Sequence, residues 1–186
     1  MATVTVTPTE WQYVFFDTAT ITAIVEKLVG EIGVDRDVHV EVDESTPLGR
    51  AKVTALDPAI TLSIEGGAFE DPKRPRHLSE RGVADVTGRW LLRSRDRLDP
   101  AFGDPPPDEE LTLSQVTAWD TYCVGRLAGL GYPVQRQRRL YHFRNRHGFS
   151  DIADAAFERL WHANGLTWAD IQAVCDETAP TRTPVG

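Results

Sequence analysis

The densest chemistry in this 186-residue chain lies between Val134 and Phe149: Arg136, Arg138, Arg139, Arg144 and Arg146, with His142 and His147, three aromatic rings and no acid. Guanidinium forks bind phosphate or carboxylate through paired hydrogen bonds, and aromatic faces stack bases. The composition therefore suits an anion site or a single-stranded nucleic-acid groove. Internal pairing is the competing reading and the favoured one, because the acidic first third must face something and Arg suits half-buried ion pairs and aromatic faces. Glu41, Asp43, Glu65 and their neighbours are the carboxylates expected to do this. Backbone conformation decides which reading holds. On a strand Arg136, Arg138, His142, Arg144 and Arg146 share one face and make an organised anion surface, whereas on a helix the arginines scatter around the circumference. His142 and His147, biased in protonation by neighbouring arginines, also suit acid chemistry on an anionic substrate, which is an enzyme reading of the same segment.

Other chemistries lack their apparatus. No His-Glu-x-x-His, Cys-x-x-Cys or calcium-loop spacing occurs, and no Gly-x-Ser-x-Gly elbow. Gly66-Gly67 lacks the Lys and Ser or Thr of a phosphate loop and reads as a turn. His39, Glu41 and Asp43 project from one strand face at a spacing that could present metal ligands, but the same alternation describes a solvated face opposite three valines. Cys123 and Cys175 sit on apolar helical stripes without a second ligand nearby and are expected to be buried free thiols. No catalytic residue, metal or cofactor is assigned.

The elements that must position these residues follow from patterning. Thr3 to Thr7 alternates β-branched residues up to Pro8 and reads as an edge strand or extended arm. Residues 8–16 fit either a helical first turn or a buried extended segment. Asp17 caps a helix through Ile21, Ile24, Val25, Leu28 and Ile32 that ends near Gly30 or Gly33. Three period-two segments follow, Val38 to Val42, Ala51 to Ala55 and Ile60 to Ile64; their short connections predict an antiparallel meander covered by that helix. Asp71-Pro72-Lys73-Arg74-Pro75-Arg76 then makes a stiff basic loop.

Ser79 caps a helix with Val83, Val86, Trp90 and Leu91 inward and Arg81, Asp85, Arg89 and Arg93 on the polar side, with Asp85 and Arg89 spaced as an ion pair. The Pro-rich stretch 99–111 is a loop. Thr112 with Gln115 forms a capping box for a helix stopped by Gly131 and Pro133, Ser150 caps another, and Thr167 with Asp170 caps the last. Beyond Glu177 the tail reads as frayed.

Composition sets the frame. Twenty basic against 28 acidic side chains and 41% apolar residues describe an ordinary globular chain, and no apolar run approaches the length of a membrane span. Charge is segregated: residues 1–72 carry 13 acids against 4 bases, whereas 121–149 carry six bases and no acid. Arg outnumbers Lys 17 to 3, which a GC-rich coding sequence explains as readily as a binding role. The expectation is one α+β domain over 1–186: an N-terminal helix on a three- or four-stranded, mainly antiparallel sheet (1–72), then a mostly helical part (73–186) with about four helices. The opening Met1-Ala2-Thr3-Val4 has no signal-peptide character, which makes a cytoplasmic location the default.

The order of helix, meander and helix over residues 17–97 resembles the minimal core of zincin metallopeptidases, whose second helix carries the zinc motif. Here that helix, Ser79 to Arg95, has Glu80 but no histidine, and His77 precedes it. The resemblance implies a zincin-like scaffold without the hydrolase. The leading functional expectation is a non-catalytic cytoplasmic binding or assembly protein. Its partner is a protein or a second copy; Trp161 and Trp168 are the candidate anchors, since Trp90 and Trp119 match helix stripes, with a core position the favoured alternative for these two as well. The alternative is nucleic-acid or phosphorylated-ligand binding through Arg136 to His147; no membrane partner is expected.

Overall fold

The computed structural model describes residues 1–180. Of the tail expected to fray, positions 181–186 lie outside the described residues. The fold is α+β, in two compact units, Met1–Leu98 and Asp99–Gly186.

In the first unit β1 (Val4–Thr7) is followed by α1 (Thr18–Ile32), β2 (Val38–Asp43), β3 (Ala51–Ala55), β4 (Ile60–Glu65), a small hairpin of β5 (Glu70–Asp71) and β6 (Arg74–Leu78), and α2 (Glu80–Leu98). Local chemistry sets the ends of α1. The Asp17 carboxylate accepts from the Ala19 and Thr20 amides, and Gly33 closes the helix at φ 77°, a left-handed conformation that favours glycine. Ser79 Oγ likewise accepts from the Gly82 amide at the start of α2.

The antiparallel meander is not what forms. The sheet order is β1–β2–β4–β3, with β1, β2 and β4 parallel and only β3 antiparallel, so the sheet is mixed. Burial accounts for the difference. Val38, Val40, Ile60 and Leu62 are fully buried, and pairing these two strands side by side puts the most apolar rows at the centre. The alanine-containing β3, half-buried at best, takes the edge and serves as the return segment that lets β4 enter in the direction of β2. Helix α1 packs against β1 and α2, and α2 also meets β3 and β4. His39, Glu41 and Asp43 lie exposed along the other face of β2.

Two expectations for α2 are corrected. Arg93 is 2% exposed rather than on a polar face, its guanidinium 4.7 Å from the Trp90 ring centroid. Arg89, half-buried, also lies over that ring, at 5.8 Å. A planar, weakly hydrated guanidinium lies on an indole more readily than an ammonium would. The segment 8–16 is neither a helical turn nor a strand: bends at 9–10 and 12–14 lead to a single bridge at Phe15, and Val14 and Phe16 are buried while Tyr13 and Phe15 face solvent.

The second unit is helical: α3 (Leu113–Gly129), α4 (Arg136–His147), α5 (Asp151–His162) and α6 (Trp168–Glu177). The Thr112/Gln115 and Thr167/Asp170 capping boxes both form, and Ser150 Oγ accepts from the Ala153 amide. Helix α3 is central and touches the other three. Its close approach to α5 depends on Gly125, where an added Cβ would sit 2.2 Å from the Trp161 carbonyl oxygen. Trp161 is 7% exposed and stacks on Phe157, while half-buried Trp168 joins Phe102 and Trp119. The two tryptophans expected as partner anchors are thus taken up by this unit's own core, where large rings bury most area. Cys123 is buried and Cys175 half-buried, both as free thiols; burial pushes the Cys175 thiol up to about 11, which keeps it protonated and unreactive.

Gly125→Ala should lower unfolding free energy by about 3 kcal/mol through backbone overpacking. Gly30→Ala on α1, where a Cβ meets nothing within 4 Å, should raise it by about 0.5 kcal/mol. Urea denaturation of the two variants checks both signs.

Candidate anion-binding groove

The segment that could have been strand or helix is a helix, and helical geometry sorts its cations into three directions. Toward α5, Arg144 grips Asp154 with two parallel hydrogen bonds of 2.8 and 2.7 Å, and Arg136 pairs with Glu158. The Arg144 guanidinium holds the Asp154 carboxyl below the usual carboxylate range, and the same bond raises Arg144. Arg136 also lies 5.3 Å from the Phe157 ring centroid and 5.7 Å from that of Trp161.

Toward the core, Phe143 and His147 fill successive turns, their rings stacked at 4.0 Å and 10°. His147 Nε2 lies 3.0 Å from the Ser114 carbonyl oxygen, which can only accept, so Nε2 carries the proton. Nδ1 lies 2.6 Å from the Thr178 hydroxyl, which also reaches the Val174 carbonyl oxygen at 2.9 Å. Burial lowers the His147 pKa, outweighing the carbonyl contact that favours the charged ring. It is therefore a neutral structural clasp joining α4 to the start of α3 and the end of α6.

Toward α3, Arg139, His142 and Arg146 follow one another at helical spacing and, with Tyr141 and Asn145, form one wall of an open groove of about 330 Å³. Leu113, Val116 and Thr117 on α3 form the other wall. Arg139 is 3.6 Å from the buried Asp120 carboxylate, which holds it along the groove. Among the described residues, Arg146 has no ion-pair partner, and neither has Arg138, which is exposed outside the groove.

The seven candidate residues are therefore not one surface. Arg139, His142 and Arg146 come together in the groove, Arg136 and Arg144 are consumed by α5, His147 is buried and Arg138 stands apart. The strand that would have aligned Arg136, Arg138, His142, Arg144 and Arg146 does not form. The pairing acids also differ from those expected: Asp120, Asp154 and Glu158 of the same unit take the arginines. In the first unit Asp43 accepts from Ser45, which lowers its pKa, and Glu65 accepts from the Arg50 amide. Leu113, Val116, Asp120, Tyr141 and Asn145 were not singled out as site residues, and nothing in the sequence marks Leu113 and Val116 as lining a groove with Arg146.

Among the described residues no group of three or more His, Cys, Asp or Glu side chains is placed to hold a metal ion, and no helix is long and apolar enough to cross a membrane. No family model, curated protein or solved structure matches this chain.

Because the folded pKa of His147 lies below its unfolded value near 6.5, the unfolded chain binds the extra proton first. The contribution of His147 to stability is complete above about pH 6.5 and is lost as pH falls toward the folded pKa. Urea midpoints measured from pH 7.5 to 5 should fall on this account, and His147→Gln, which keeps a donor for Ser114, should flatten the decline.

Proposed function

We propose that the protein is a non-catalytic cytoplasmic binding protein whose α3–α4 groove takes a small ligand joining one anionic group, phosphate or carboxylate, to an apolar or aromatic body. The observation that carries this is the placement of Arg146, a cation without a carboxylate among the described residues, in the same groove as Leu113 and Tyr141, which are 59% and 58% exposed. An arginine fork fixes the anion, and the apolar wall supplies contact area. Commitment of Arg136 and Arg144 to α5 leaves too few cations at this groove for a polyanion, and a net charge of −8 opposes one.

A protein partner or a second copy is the second reading. It is favoured by the exposure of Phe149 (68%) and Ile152 (59%) next to Tyr141, whose ring is 6.4 Å from that of Phe149. The zincin-like scaffold rests on element order alone, with no histidine on α2.

Phenyl phosphate is the probe for the first reading. In calorimetric titration it should bind more tightly than inorganic phosphate, and Arg146→Ala should weaken it about tenfold, the value of one charge-assisted hydrogen bond. Equal binding by Arg146→Ala, or no binding at all, rejects the groove as an anion site. A dimer in light scattering that Phe149→Asp dissolves would establish the second reading instead.

A further inference from the structure

The first unit holds a second cluster of cations and rings, built differently from the groove. The irregular segment before α1 turns Tyr13 and Phe15 outward, 60% and 62% exposed, while Val14 and Phe16 are buried. The Phe15 amide donates to the Arg76 carbonyl oxygen at 2.8 Å, and Phe15 forms a parallel bridge with His77, so the segment is pinned along β6. Around the Phe15 ring, His77 lies 5.0 Å away at 31° and the Arg76 guanidinium 5.4 Å away. Arg76 holds this position at φ 65°, the only non-glycine residue with positive φ among those described. An L-residue there is strained by of order 1–2 kcal/mol, and the pairing with Phe15 keeps it in place. Lys73, Arg74 and Arg76 are exposed and, among the described residues, have no ion-pair partner. Pro72 and Pro75 stiffen the hairpin that carries them.

We propose that this platform binds single-stranded nucleic acid. Stacked or splayed rings offer faces to bases of any sequence, and guanidinium forks meet the intervening phosphates. The alternative targets fit less well. An anionic vesicle or a duplex presents an extended negative surface, and residues 1–72 carry 13 acids against 4 bases, so a broad approach is repelled. A single flexible strand needs to meet only Phe15 and the cations of β6, where the one acid across from Arg74, Asp71, is turned to the Lys73 amide. Membrane insertion would also require the Phe15 ring to leave the guanidinium and imidazole held against it. The proposal concerns a different unit from the groove and does not depend on it.

The test is fluorescence anisotropy of a short labelled oligothymidylate with the full chain, across a salt series. Saturable binding is expected at low salt, with log affinity falling against log salt at a slope of about −2 for three engaged cations. Phe15→Ala should weaken binding about tenfold. Arg76→Gly should weaken it too while leaving the thermal midpoint at or above that of the parent, since glycine accepts φ 65° without strain. Arg146→Ala should leave this binding unchanged. No binding at low salt overturns the proposal, as does Phe15→Ala binding like the parent, or retention by phosphatidylserine vesicles with none by the oligonucleotide.

Discussion

A helix carrying five arginines and no acid of its own can turn those cations toward a neighbouring helix only where that neighbour brings carboxylates. In the second unit the neighbours do. Asp120 comes from α3, Asp154 and Glu158 from α5, and Arg144 with Asp154 makes the most directional of these contacts. The two pairs toward α5 are partly exposed and add little net stability. Their effect is on orientation: they fix which side of α4 faces α5, and so which side remains for α3. Phe143 and His147 then fall on the inward side, and Arg139, His142 and Arg146 fall along the α3 groove. The groove is a consequence of charge pairing elsewhere on the same helix.

Much of the architecture was legible in the sequence because it is encoded locally. Asp17, Ser79, Thr112, Ser150 and Thr167 cap the helices they were read to cap, since each needs only its own next three residues. Sheet order was not legible, because a short loop constrains only the strands it joins. The β3–β4 turn does give an antiparallel pair. The β2–β3 connection instead skips one place, and the deciding term is the mutual burial of Val38, Val40, Ile60 and Leu62, a nonlocal quantity.

The candidate site was legible in composition and not in arrangement. The arginine-rich segment stands out at once, yet whether it makes one surface or three depends on a single choice between periods of 2 and 3.6 residues. Arg, Tyr, His and Phe are poor discriminators between those periods, and the turn after Pro133 leaves either available. The pairing acids were sought in the acidic first third on grounds of bulk charge. Contacts are short-ranged and are made by whichever carboxylate the packing brings near. Trp161 misled for a related reason: its burial depends on Gly125, which is 36 positions earlier in the chain.

The two basic, aromatic surfaces illustrate opposite outcomes of one composition. On α4, regular geometry sends side chains around the full circle, so most cations meet a neighbouring helix and are neutralised. On β6 the hairpin is short and carries Pro72 and Pro75, and although Asp71 of β5 stands opposite Arg74, none of Lys73, Arg74 and Arg76 forms an ion pair among the described residues. Their charge is retained because the Asp71 carboxylate is turned to the Lys73 amide within the hairpin, and the exposed Phe15 ring is retained because His77 and Arg76 cover part of it. Segregated charge in a sequence therefore marks a surface only where the secondary structure keeps it on one side. By that criterion the shorter and less basic of the two segments is the better organised one.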